Sequence, residues 1–320
     1  MARAERESEL RLVRVFDAPV ALVWDAWVKE EHVAQWWGPR GFTLTTTSKD
    51  VRPGGRWVYT MHGPDGTDYP NITTYHVVEP HAKLVYDHGA TAEREPLFRV
   101  SVTFRERQGR TEMDLTMALA TAEAAREARA FIKRAGGEST WDRFGEYLEQ
   151  VQGREGVFLI TRSFAADQQT VFGMWVDPDH YVRWMGPTGS TMSFLRADVR
   201  EGGSTLWAMT MADGSTKHGM LNYRTIRPYD LFVYSQHFSD ASGALCKPSF
   251  APTYPDRLLT TVTLTPEGAE ETRVTVRWEI LGAATVAERD TFETMKTSMT
   301  PGWTGAFDKL EAVLGARSVS

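Results

Sequence analysis

The side chains best suited to move protons or hold a metal are His62, His76, His81 and His88, which fall on successive strand-like or turn-like segments, with Asp87 beside His88. An imidazole next to a carboxylate can serve general acid–base catalysis. A metal site would need three such groups to converge. The close pair spacing of zinc motifs is missing, and the single cysteine, Cys246, lies far along the chain. The sequence therefore predicts no metal and no cofactor, and the default reading of these histidines is surface or pocket-polar. A G-x-S-x-G nucleophile motif is absent. Gly54-Gly55 and Gly202-Gly203 lie between strands and read as turns, not as a phosphate-binding loop. An enzyme, cyclase-like or hydrolytic, would have to work with Asp87 and pocket histidines, and that is the alternative reading.

The same strands carry a wall of large apolar side chains. In "RWVYTMH", Trp57, Tyr59 and Met61 alternate onto one face; Trp207, Met209 and Met211 take the corresponding face later in the chain. Tyr75 and Tyr223 hold equivalent places on the next strand, followed by Tyr86 and Tyr234. Trp36, Trp37 and Trp184 sit at the end of a helical stretch. Such rings are core by default. If the sheet encloses more space than its helix fills, they line a pocket for a small hydrophobic or amphipathic molecule. His62, Tyr75 and His88 are then candidate polar anchors. The larger aromatic set in the first half predicts a stiffer, more selective pocket there. The methionines of the second predict an adaptable one.

The elements that must position these residues come twice. "HVAQWWGPRG" (His32 to Gly41) returns as "HYVRWMGPTG" (His180 to Gly189), and the correspondence runs without a gap from Arg14 to Pro80 against Arg162 to Pro228. A period this long means two copies of a domain and not a solenoid. Trp141 pairs best with Trp303, so the second copy carries an insertion, placed around residues 238–257 in a stretch rich in Ser, Pro and Gly. The domains are expected at 1–152 and 153–320. Each copy reads as a strand, two short helices with Pro19 opening the first and Gly-Pro ending the second, six strands, and a closing helical region. Pro178 marks the break between the two short helices. Thr121 is placed to cap the closing region of the first copy, and Gly136-Gly137 to break it.

A chain of 320 residues with 42% hydrophobic and 24% charged residues suits two ordinary globular domains. A net charge of −6 argues against a nucleic-acid partner. No run approaches the ~20 apolar residues that span a bilayer. The lone cysteine and the charged opening "MARAERESEL" point to the cytoplasm.

The order of elements, together with Arg14, Phe16, Ala18-Pro19, Val23-Trp24, Trp27, the Trp36-Trp37-Gly38-Pro39 phrase, Gly54-Gly55, Asp65-Gly66 and the Trp141 helix ending in Tyr147-Leu148, resembles the START/Bet-v-1-like helix-grip superfamily. Within it, the chain looks like the subgroup named for the activator of heat-shock protein 90 ATPase. The second copy repeats the pattern but has Asp167 in place of the Pro and Met185 in place of the second Trp. The resemblance implies an α+β fold in which a curved antiparallel sheet grips a long C-terminal helix with a cavity between them. The superfamily includes lipid carriers, hormone receptors, cyclases and co-chaperones, so it implies binding of an apolar ligand more readily than a particular reaction. A chaperone partner is suggested by the family name alone.

Overall fold

The computed structural model describes residues 8–92, 94–134, 138–154 and 156–317. The Gly136-Gly137 break lies outside them. The chain divides into two compact units, 1–154 and 155–320.

In the first unit β1 (Glu9–Phe16) is followed by α1 (Val20–Val28) and α2 (Glu30–Trp36). Six strands follow: β2 (Thr43–Lys49), β3 (Arg56–His62), β4 (Asp68–Glu79), β5 (Lys83–Ala90), β6 (Phe98–Arg107) and β7 (Arg110–Ala118). The unit closes with α3 (Ala122–Arg134) and α4 (Glu138–Val151). The sheet order is β1-β7-β6-β5-β4-β3-β2, antiparallel throughout. Consecutive strands from β2 to β7 are neighbours. The two short helices carry the chain from one edge of the sheet to the other.

The second unit repeats this with β8 (Val157–Phe164), α5 (Gln168–Val176), α6 (Pro178–Trp184), β9 (Thr191–Ala197), β10 (Ser204–Thr210), β11 (Thr216–Arg227), β12 (Leu231–Ser239), β13 (Leu258–Gly268) and β14 (Glu271–Ile280). One continuous helix, α7 (Val286–Arg317), closes it. Its sheet order, β8-β14-β13-β12-β11-β10-β9, matches the first. Both edge pairs carry a register shift at the same place, between Thr46 and Ser48 and between Leu206 and Trp207. Such bulges bend a sheet.

Local chemistry explains the helix boundaries. Pro19 stands at the N-cap of α1, one residue earlier than expected. Asp167 replaces it at α5 and accepts a 2.9 Å hydrogen bond from the Thr170 amide, a side-chain cap in place of a preset backbone angle. Pro178 is in the first turn of α6. Thr121 Oγ1 accepts from the Ala124 amide at 3.1 Å and caps α3.

The doubled phrase is a docking device. The indole N–H of Trp36 donates to the Ala26 carbonyl at 2.9 Å, and that of Trp184 donates to the Met174 carbonyl at 2.9 Å, so each second short helix is tied to the first. Both rings are fully buried. Gly38 and Gly186 have φ of +93° and +105°, which a residue with a Cβ adopts only under strain. The turns they make meet the closing helices. In the first domain Arg143 donates to the carbonyls of Gly38 and Pro39, each at 2.8 Å, and Arg40 pairs with Glu146. In the second, Lys309 reaches the carbonyls of Met185 and Pro187 at 3.4 and 3.5 Å. Gly305 there lets α7 approach so closely that a Cβ would lie 2.5 Å from Thr188 Oγ1.

Candidate functional site

Strand geometry separates the residues that the sequence grouped as chemical. Neighbours on a strand project to opposite faces. Asp87 and His88 are neighbours on β5, so they do not form an acid–base pair. Asp87 faces solvent and takes two bonds from Arg99, at 2.7 and 3.0 Å, and one from His76 Nε2 at 2.7 Å. Arg99, then His76, holds its carboxyl below the usual range. His88 turns inward. Its ring stacks on Phe98 at 4.9 Å, and Tyr59 Oη lies 3.4 Å from Nδ1. Burial, with the charge of Arg94, holds its pKa down to about 4.

His62 is likewise a correction to the pocket reading. It lies on the face of β3 opposite Tyr59, with Asp68 Oδ1 2.6 Å from Nδ1 and Thr45 Oγ1 2.9 Å from Nε2. His81 packs edge-on against Trp24 in a turn. The four histidines do not converge, and among the described residues no group of three His, Cys, Asp or Glu could hold a metal.

The rings named for a first pocket pack against one another. Trp57 stacks on Tyr59 at 3.9 Å, and Trp37 meets Trp57 edge-on at 5.2 Å and donates to Tyr59 Oη at 3.2 Å. Trp36 lies 4.2 Å from Phe144 on α4, and Tyr75 meets Tyr86 at 6.0 Å. Met61 covers Gly38. Lys49 sits at the rim of this cluster, its Nζ 3.5 Å from the centre of the Trp57 ring and 3.4 Å from Tyr75 Oη. Burial lowers its pKa to about 7.

In the second domain the equivalent region holds a cavity of about 260 Å³. Its floor is the sheet, through Trp207, Met209, Leu221, Tyr234, Gln236, Phe238 and Trp278, with Met211 just past β10. Its roof is one face of α7: Met295, Ser298, Met299, Gly302, Trp303 and Ala306 recur at three- and four-residue steps. The Gly-Pro turn closes one end with Tyr181, Met185, Pro187 and Met192. Of the named candidates, Trp207, Met209, Met211 and Tyr234 line it. Trp184 is core behind it, and Tyr223 is engaged with Thr205 Oγ1 at 2.7 Å.

Residue size explains the space. Met185 stands where the first domain has Trp37, Thr205 where it has Trp57, and Gln236 where it has His88. The ring equivalent to Phe144 has also moved. Phe144 meets Phe16 edge-on at 4.8 Å, while the corresponding Phe164 is met at 5.5 Å by Phe307, one residue later on its helix. Ala306 then faces the cavity. The ring of Trp207 lies flat over Gly219, where a Cβ would come within 2.2 Å of it.

The insertion covers the cavity. Residues 240–257 link β12 to β13, and Phe250 and Tyr254 from this segment join the lining. Phe238 holds both rings, at 5.7 and 5.6 Å. Lys247 pins the segment to Glu288 of α7 at 2.6 Å, and Thr253 reaches Thr291 at 2.7 Å. The lining is apolar with few polar groups. Tyr181 and Tyr234 are hydrogen-bonded to each other, and burial keeps both phenols neutral. Gln236 donates to Thr260 Oγ1 at 3.1 Å. Lys217 contributes the cation, its Nζ 4.2 Å from the centre of the Phe250 ring.

No helix among the described residues is long and apolar enough to cross a membrane. The chain is similar in structure to a protein from Nitrosomonas europaea, at 21% identity over 46% of this chain and 97% of the other, with a TM-score of 0.42. A protein from Arthrobacter aurescens matches at 27% identity over 50% and 86%, with a TM-score of 0.43. A third, from Silicibacter pomeroyi and itself described as AHSA1, matches at 17% over 50% and 99%, with a TM-score of 0.40. No curated protein matches the chain. The family model described as "Activator of Hsp90 ATPase homolog 1-like protein" matches twice, over residues 17–149 and 165–315, and the chain belongs to that family as a tandem of two helix-grip domains.

Proposed function

We propose that the protein binds a small apolar or amphipathic molecule in the cavity of its second domain. The observation that carries this reading is the roof of that cavity. Gly302, Ala306 and Ser298 present little or no side chain on the face of α7 that the sheet should fill, while the insertion encloses the space from the side. Close-packed interiors leave few voids larger than a water. The space is kept open by a coordinated set of small and methionine side chains, which adapt to irregular partners.

The energetics limit the affinity. A ligand hiding ~300 Å² of apolar surface gains roughly 7 kcal/mol. Loss of its free motion costs about 4 kcal/mol or more. The remainder corresponds to roughly millimolar binding, so micromolar affinity needs a polar contact as well.

The test is titration of the full chain with the neutral fluorophore N-phenyl-1-naphthylamine. Saturable enhancement with one site per chain supports the reading. Absence of any enhancement up to the solubility of the probe contradicts it, and a protein-binding role, as the family name suggests, would then take its place.

A further inference from the structure

Among the described residues that line the second-domain cavity, Lys217 is the charged one. It lies at the start of β11, paired across the sheet with Met209, and the corresponding residue of the first domain is Tyr69. Its ammonium lies 4.2 Å from the centre of the Phe250 ring, which the insertion contributes to the wall. A cation held against an aromatic face keeps part of its charge available to an anion arriving from the other side. The acid that senses it, Asp213, is already engaged: its carboxylate accepts from the Ser215 amide at 2.9 Å and from Ser215 Oγ at 2.6 Å. The rest of the lining contains no carboxylate to repel an anion.

We propose, building on the ligand-binding reading above, that the cavity is a site for small amphipathic carboxylic acids, with the carboxylate paired to Lys217 and the carbon skeleton among the methionines. The cavity of about 260 Å³ is walled by methionine and aromatic side chains that give the carbon skeleton an apolar bed.

The experiment is displacement of bound N-phenyl-1-naphthylamine from the full chain by decanoate and by decan-1-ol. A charge-assisted contact predicts that decanoate displaces the probe at about tenfold lower concentration than decan-1-ol. Lys217→Met should abolish that advantage, so that acid and alcohol displace the probe at the same concentration whatever the variant's own affinity for the probe, and Lys217→Arg should retain most of it. Equal displacement by acid and alcohol, or an advantage that survives in Lys217→Met, overturns the assignment of the acid class and leaves the apolar cavity standing. Failure of the probe to bind overturns the cavity reading and this one with it.

Discussion

Trp303 stacks on Trp175 with ring centroids 6.1 Å apart and planes 25° from parallel. Trp141 stands in the same relation to Trp27, at 5.9 Å and 21°. The pair therefore marks how a closing helix seats on the first short helix in both domains. Trp303 is buried and also lines the cavity. Trp303→Ala should destabilise the second domain by roughly 3–5 kcal/mol, through lost transfer energy and an unfilled space. Thermal melting should show one transition shifted sharply downward. A loss below about 1 kcal/mol would mean that α7 seats without it.

We propose that 1–152 and 153–320 are independent folding units, because each contains a full sheet, its closing helix and its own core. Expressed separately, both should show near-ultraviolet dichroism and cooperative melting. Two molten halves beside a cooperative whole chain would mean that the copies depend on each other.

The first domain should lose stability toward acid. His88 is held to about 4 by burial, so between about 6.5 and 4 the unfolded chain takes up a proton that the fold refuses. This contribution is complete above about 6.5 and is lost as the pH falls toward 4. His88→Gln, which installs the residue of the second domain, should flatten that limb in denaturant unfolding. Lys49, lowered to about 7, acts in a higher window: stability should rise with pH from about 7 to about 10.5, and Lys49→Met should remove the slope. Unchanged slopes in the two variants would mean that both groups are solvated in the native state.

The sheet and its repeat were legible because alternation and Gly-Pro punctuation are local signals. Leu10, Arg11 and Leu12 of β1 show the alternation, whereas Trp36 and Trp184, candidates for a pocket wall, are fully buried core rings tied to the preceding helix. The cavity was only half legible. Trp207, Met209, Met211 and Tyr234 fall on alternating strand positions and could be named. Phe250 and Tyr254 could not, because they lie in a segment without period, and its fold over the cavity depends on long-range contacts such as Lys247 with Glu288. The decisive faces of α7 were missed for another reason. Helical spacing says which residues share a face, but not that Gly302 and Ala306 leave that face too small for the sheet. The loss of a ring at Met185 was visible as a departure from the first copy. Its physical effect, room at the cavity wall, depends on what packs opposite it.

The most direct measurement is the location of probe binding. Met185→Trp restores at the cavity wall the ring that Trp37 supplies in the first domain. With N-phenyl-1-naphthylamine titrated into wild-type and variant full chains under the same conditions, the cavity account predicts saturable binding of one probe per wild-type chain. It also predicts at least a tenfold weaker response in Met185→Trp, at an unchanged melting temperature. Undiminished binding in a folded Met185→Trp chain would place the apolar site elsewhere and contradict the account.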